Sequence, residues 1–566
     1  MKNPAIKDPA NYLQFFLNPQ LGSGEIKETS SYRPLLMASF ALNYTIGGLD
    51  VFGYHLTNFF LHTLCAFLIF YITLCFLRLS AAEENLDQKR NQLTALFAAL
   101  VFALHPLQTE SVTYITGRSS LLNTFFFLAA FWAYMQYGLT GRIYQVFLSL
   151  FCYACALLAK ETAVCLFLIL ILFNLLFPLG RTWKRSFFSL SPYLGVTAAY
   201  LIVRVHFFGT LRYNVESVRP LYDNLLTQFR AWVHYIVTLL FPLNLNVDYD
   251  FPVSHSLLDG GVILSIFILA SLVLVLWKVS KFSRPVVFFA LWFGINLLPT
   301  NSLVSLEDVI TDRWLYLPSV GYAIITALAA QWIFRAKVRG RNRARKIIFF
   351  FLCALVVEFY GFATVLRNFT WTSYWTLWED AVTKSPNKSR PHTALGLALT
   401  SVGRTEEAIA EFQKAIQLNP RAGGAYLNLG YIFNKQERYE EAIQAYKKAM
   451  AVTPRLAAEC HNNLGAAFRL QGRKQEAIDE FGLALQARPG YARPYFELGT
   501  IYEKDGEIDK AIDCMEKAAQ KEPEFLPIHQ ALMGLYEKKG WPEKSQEARK
   551  NYQKYKALGE RIFIGG

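Results

Sequence analysis

Residues 347–396 read IIFFFLCALVVEFYGFATVLRNFTWTSYWTLWEDAVTKSPNKSRPHTALG, and the chain changes character inside them. The segment 347–366 is apolar except for Glu358, long enough as a helix for a hydrocarbon core that takes about 20 residues. From Thr370 onward, charged and apolar residues alternate at helical spacing, as on a helix with one wet face. Upstream of this point lie other apolar runs, among them 59–77 and 262–277. The chain is 53% apolar overall, close to a soluble protein's ~45–50%. The average thus conceals two classes of structure.

Downstream, the pattern repeats about every 34 residues. Pro386, Pro420, Pro454, Pro489 and Pro523 close successive units, while Gly396, Gly430, Gly465 and Gly499 recur at one register position. Ala408, Ala442, Ala477 and Ala511 recur at another, each followed four residues later by Phe412, Tyr446, Phe481 or Met515. A small residue lets two helices approach and the large one fills the space beside it. This is tetratricopeptide-repeat spacing. Trp378, Ala381 and Pro386 match only the second half of a unit, and 526–554 reads as an end-capping repeat. Each unit buries its apolar face only against a neighbour, so the array stacks into a solenoid with a groove suited to an extended peptide.

Upstream, ten spans are expected, at 53–77, 93–104, 119–137, 143–158, 162–178, 187–205, 260–277, 285–299, 314–334 and 347–366. The stretch 229–240 carries Arg230 and His234 and reads as an interfacial amphipathic helix instead. With ten spans the basic loops at Lys89/Arg90, Arg181/Lys184/Arg185, Lys278/Lys281/Arg284 and 335–346 share one side, the cytoplasmic one. Residues 1–52, 105–118, 206–259, 300–313 and the whole repeat array then lie outside the cytoplasm. The fold class expected is all-α. It comprises an external loop and juxtamembrane helix (1–52), a membrane domain (53–366), a connector with a half repeat (367–388) and the array (389–566). The formal charge of +14 follows the loops and comes with no nucleic-acid recognition motif.

Charged groups near hydrocarbon cost about 2.5–3.5 kcal/mol each on insertion scales, so they pair or line a wet cavity. Arg33, Arg118, Lys160 and Arg313 all fall on the external side, with the acids Glu110 and Asp312. Guanidinium and ammonium groups suit a lipid phosphate, and a carboxylate beside them can take a proton from an acceptor hydroxyl. The plainer alternative is two structural ion pairs, Lys160/Glu161 and Asp312/Arg313. His105 and Glu110 lack the spacing of a zinc metalloprotease. His55, Asn58 and His62 form a helical stripe expected to face the interior without a metal. Glu358 is expected to be paired within the bundle. Cys152 and Cys155 have redox spacing but lie mid-span, where cysteine acts as a small hydrophobe.

Taken in order, several segments resemble the transmembrane and tetratricopeptide-repeat-containing O-mannosyltransferases, which have the multispan GT-C architecture. They are Ser31-Tyr32-Arg33-Pro34, Leu42-Asn43-Tyr44, Gly53 to Asn58 with His62, His105-Pro106 to Glu110, Gly117-Arg118, Lys160-Glu161, and Asp312 to Ser319. The resemblance implies transfer of a sugar, mannose in animal members, from a polyprenyl-phosphate donor to protein hydroxyls, with the array presenting the acceptor protein. On this reading Glu110 and Asp312 are the catalytic candidates. Arg33, Arg118, Lys160 and Arg313 hold the donor phosphate, with His105, Glu161 and Tyr316 in support. No metal ligand set is assigned and metal dependence stays open. The location implied is the plasma (inner) membrane of a bacterium. The family's first span and an Asp-Asp pair have no counterpart here, so a truncated, impaired chain is expected. The rival reading is a non-enzymatic scaffold that organises envelope proteins through the repeats.

Overall fold

The computed structural model describes residues 4–7, 11–18, 21, 32–79, 88–178, 188–208, 219–300, 306–335 and 342–563. Among them every regular element is a helix. Two compact units meet between Thr372 and Ser373.

The first unit packs its helices around an aromatic core. Phe76, Phe131, Phe173, Phe288 and Trp292 are buried and in ring contact with one another, with centroids 5.1–6.3 Å apart where they meet. Such offset and edge-on arrangements add roughly 0.5–1.5 kcal/mol per pair beyond burial. The expected ten spans are not found. Among the described residues only Val51–Leu79, Gly260–Ser280 and Phe350–Thr370 are long and apolar enough to cross a membrane. Tyr144–Ala159, Cys165–Leu176 and Arg284–Leu297 have 16, 12 and 14 residues. At about 1.5 Å per residue, helices so short fall below a hydrocarbon core about 30 Å thick. Other expected spans are long but polar: Arg118–Thr140 carries Ser119, Ser120, Asn123 and Thr124, and Ser191–Phe208 carries Arg204 and His206. The 229–240 stretch is the end of one 20-residue helix, Leu221–Leu240.

Two further expectations change. Glu358 is exposed on its helix rather than paired within the bundle. Of the stripe, Asn58 and His62 are buried, but His55 is exposed. Ser31, Arg181, Lys184, Arg185 and residues 336–341 lie outside the described residues.

The second unit shows why the repeat positions are what they are. A Cβ on Gly430 would stand 2.6 Å from the Tyr446 ring, and one on Gly465 2.7 Å from that of Phe481. Glycine admits the aromatic against the backbone. Ala408, Ala442, Ala477 and Ala511 are fully buried where the paired helices cross. The turn between the two helices of a unit takes a positive φ, supplied by Gly403, Gly472, Gly506 and Gly540, but by Glu437 at φ 62° in one unit.

Candidate functional site

The site grows from the turn after Gln88–Leu104. His105 folds it: its Nδ1 accepts from the Leu107 N–H at 3.3 Å, and its Nε2 lies 3.0 Å from the Leu239 carbonyl. With Nδ1 accepting, Nε2 carries the proton and donates. His105 thus supports the loop by anchoring it. The short helix Gln108–Thr113 follows with Glu110 in its first turn. Gly117 closes the segment, since a Cβ there would lie 2.4 Å from the Ser111 carbonyl oxygen.

Glu110 is buried and meets the turn Asp312–Leu315. The Arg313 backbone N–H donates to its Oε2 at 3.0 Å, while the Arg313 side chain stands 3.9 Å from Oε1 and 3.8 Å from Asp308. Asp312, also buried, accepts from the Tyr249 hydroxyl at 2.8 Å. Burial pushes the Glu110 carboxyl above the usual carboxylate range, against the pull of Arg313. Burial, and then neighbouring Glu110, push Asp312 up to about 7. Arg367 pulls both downward.

Lys160 and Glu161 leave Tyr144–Ala159 side by side but do not pair with each other. Glu161 takes a fork from Arg33, Nη2 to Oε1 at 2.8 Å and Nε to Oε2 at 3.2 Å. Lys160 donates to the Ser120 hydroxyl at 3.0 Å. Burial, and then the Arg33 charge, draw its ammonium down to about 7. Lys160 and Arg313 line one cavity together with Tyr316. The Tyr316 hydroxyl also meets His62 Nδ1 at 2.7 Å, and His62 Nε2 lies 3.0 Å from the Ala103 carbonyl.

Arg118 stands apart from this cluster. It is fully buried, and its guanidinium donates to Asn58 Oδ1 (2.8 Å), the Tyr54 carbonyl (2.9 Å), the Ser39 carbonyl (3.2 Å) and Asn43 Oδ1. It also lies over the Phe40 ring, 4.7 Å from the centroid. Asn58 in turn donates to the Val112 carbonyl at 3.1 Å, so this network holds the segment that carries Glu110.

Seven of the nine residues singled out from sequence therefore form one connected neighbourhood: Arg33, Glu110, Lys160, Glu161, Asp312, Arg313 and Tyr316. His105 and Arg118 brace it. Tyr249, Asp308 and Arg367 were missed. Arg367 falls one residue past the apolar run 347–366, and a cation at that depth is a recognisable signal. Tyr249 carries none. Among the described residues no three His, Cys, Asp or Glu side chains are grouped to hold a metal.

Tetratricopeptide-repeat family models match residues 396–437, 421–489 and 492–525. The crystal structure of MamA is 30% identical over 30% of this chain and 95% of its own, with a TM-score of 0.24. The protein O-mannosyl-transferase Tmtc3 of Drosophila melanogaster is 28% identical over 486 residues, 74% of this chain and 52% of the fly protein. The protein O-mannosyl-transferase TMTC1 of Homo sapiens is 25% identical over 75% of this chain and 52% of its own length. The chain spans about half the length of these curated relatives. It carries tetratricopeptide repeats and is similar, over about three quarters of its length, to proteins named O-mannosyl-transferases.

Proposed function

We propose that this chain is a multipass membrane glycosyltransferase that moves mannose from a polyprenyl-phosphate donor to a hydroxyl of an acceptor protein. The reaction takes place on the non-cytoplasmic face, and the repeat array binds the acceptor. The observation that carries the reading is the cavity shared by Lys160 and Arg313, beside the buried acids Glu110 and Asp312. The two cations hold the phosphate outside the cavity, which at about 20 Å³ admits only about one water, and stabilise the negative charge it gains as the sugar departs. A carboxylate next to them takes the proton of the attacking hydroxyl, so the new C–O bond forms as the phosphate–sugar bond breaks. Arg33 serves by fixing Glu161, and Arg118 by fixing the Glu110 segment. A scaffold has no use for buried acids and cations around a polar cavity.

The test is transfer of radiolabelled mannose from polyprenyl-phosphate mannose to envelope proteins by the purified full chain. Glu110→Gln and Asp312→Asn are each expected to lower it at least ~100-fold, the scale of a lost general base, with donor binding retained. The rate should peak near pH 7, rising as Asp312 gives up its proton and falling as Lys160 loses the charge that holds the phosphate. No transfer by the wild-type chain, or full transfer by both variants, would overturn the assignment.

A further inference from the structure

The cavity between Lys160 and Arg313 has a wall of neutral polar groups that the proposed chemistry leaves unused. Ser120, Asn123 and Thr124 face it from the start of Arg118–Thr140, and Asn296 from the end of Arg284–Leu297. Asn123, Thr124 and Asn296 are each at least 95% buried. Three of their atoms, Asn123 Oδ1, Thr124 Oγ1 and Asn296 Oδ1, have no hydrogen-bond partner. The amide nitrogens are already engaged. Asn296 Nδ2 donates to the Trp292 carbonyl at 2.9 Å, and Asn123 Nδ2 to the Thr162 hydroxyl at 3.3 Å. Leaving one such atom buried and unpaired costs about 1–3 kcal/mol, and three beside one cavity call for a ligand that donates to them.

The cavity is about 20 Å³, room for roughly one water. That volume excludes a sugar ring, a nucleotide or a lipid chain. It admits a hydroxyl or hydroxymethyl group carried on a larger body that stays outside. No carboxylate lines it, so the acceptors belong to neutral amides and hydroxyls, as suits an uncharged donor rather than a cation beside Lys160 and Arg313.

We propose that Asn123, Thr124 and Asn296 form a notch that receives one hydroxyl-bearing arm of the donor's sugar and thereby selects the sugar, separately from the cations that hold the phosphate. This rests on the glycosyltransferase reading above.

The experiment compares two lipids on the full chain in nanodiscs, polyprenyl phosphate and polyprenyl-phosphate mannose. The variants are Thr124→Val and Asn296→Leu. Thr124→Val replaces an unpaired hydroxyl by a methyl of similar size, a change that leaves folding near neutral, whereas Asn296→Leu also gives up the Nδ2 bond to the Trp292 carbonyl, so the melting temperature of each variant is read alongside its binding. Each variant is expected to bind the mannosyl lipid about 3–10-fold more weakly, the worth of one neutral hydrogen bond, and polyprenyl phosphate as wild type does. Deoxy-mannosyl lipids locate the arm. The analogue lacking the notch-bound hydroxyl should bind wild type as weakly as the full lipid binds the variants, and lose nothing further in them. Equal loss for both lipids, or no loss for either, overturns the notch while leaving the glycosyltransferase reading in place. A wild-type chain that binds neither lipid removes both.

Discussion

Arg118 is the clearest case of a residue whose type was legible and whose task was not. A guanidinium beside an apolar helix announces itself in the sequence, because its isolated burial is so unfavourable. What it does depends on the acceptors of Asn43, Asn58, Ser39 and Tyr54, which no spacing reveals. Removing one partner of a buried charged network costs about 3–5 kcal/mol. Arg118→Met should therefore lower the thermal stability of the purified chain sharply, and saturating polyprenyl phosphate should not restore it. A variant that folds normally but loses lipid binding would return Arg118 to the phosphate site. Lys160 has the opposite character, a cation with Ser120 as its hydrogen-bond partner and its neighbouring acid taken by Arg33. Its folded-state value near 7 lies below that of a free lysine. The unfolded chain thus binds the proton more tightly, and this group favours unfolding below about 7 and ceases to do so as the pH rises toward the free-lysine range near 10.4. Lys160→Met should accordingly raise the melting temperature more at pH 6 than at pH 10. Equal gains at both would show an ordinary, paired ammonium.

Among the elements, the repeat helices were readable because packing acts on fixed sequence intervals. Gly430 and Tyr446 sit 16 residues apart in one unit, as Gly465 and Phe481 do in the next. The same contact is made each time. Gly430→Ala drives a methyl into the Tyr446 ring, and overpacking of this kind costs about 1–3 kcal/mol. Glu437 stands where the other units carry glycine, at a backbone conformation that costs an L-residue about 1 kcal/mol. Glu437→Gly should stabilise its unit by up to that amount. Hydrogen exchange of the intact chain would show both, as faster exchange across 423–452 for the first variant and slower for the second. The spans were less readable, for a physical reason. Mean apolarity does not report where a helix stops. A 12-residue helix such as Cys165–Leu176 is sheltered by its neighbours and carries the same signal per residue as a true span. Polar residues in Arg118–Thr140 meanwhile face the cavity and make that helix less apolar than a span exposed to lipid.

For the whole molecule, the boundary between apolar and amphipathic sequence was visible near Thr370, and the compact units divide at Thr372. Orientation was argued from basic loops that share one side under ten spans, whereas three helices among the described residues are long and apolar enough to cross. A cytoplasm-only reporter fused after Gly566 is expected to stay dark in cells, and a bright fusion would place the array in the cytoplasm and invert the scheme. The gathering of Glu110, Lys160 and Asp312 from three separated segments follows from helix packing, and sequence could suggest it only through the shared side assigned to them. The Arg118 network carries one more consequence, for biogenesis. A ribosome makes this chain from the N-terminus, so Ser39, Asn43, Tyr54 and Asn58 all emerge before the guanidinium that needs them. The nascent chain therefore never has to hold that charge in lipid while waiting for acceptors. Deleting residues 34–58 removes those acceptors, so the shortened chain is expected to be cleared by membrane proteases faster than the intact one.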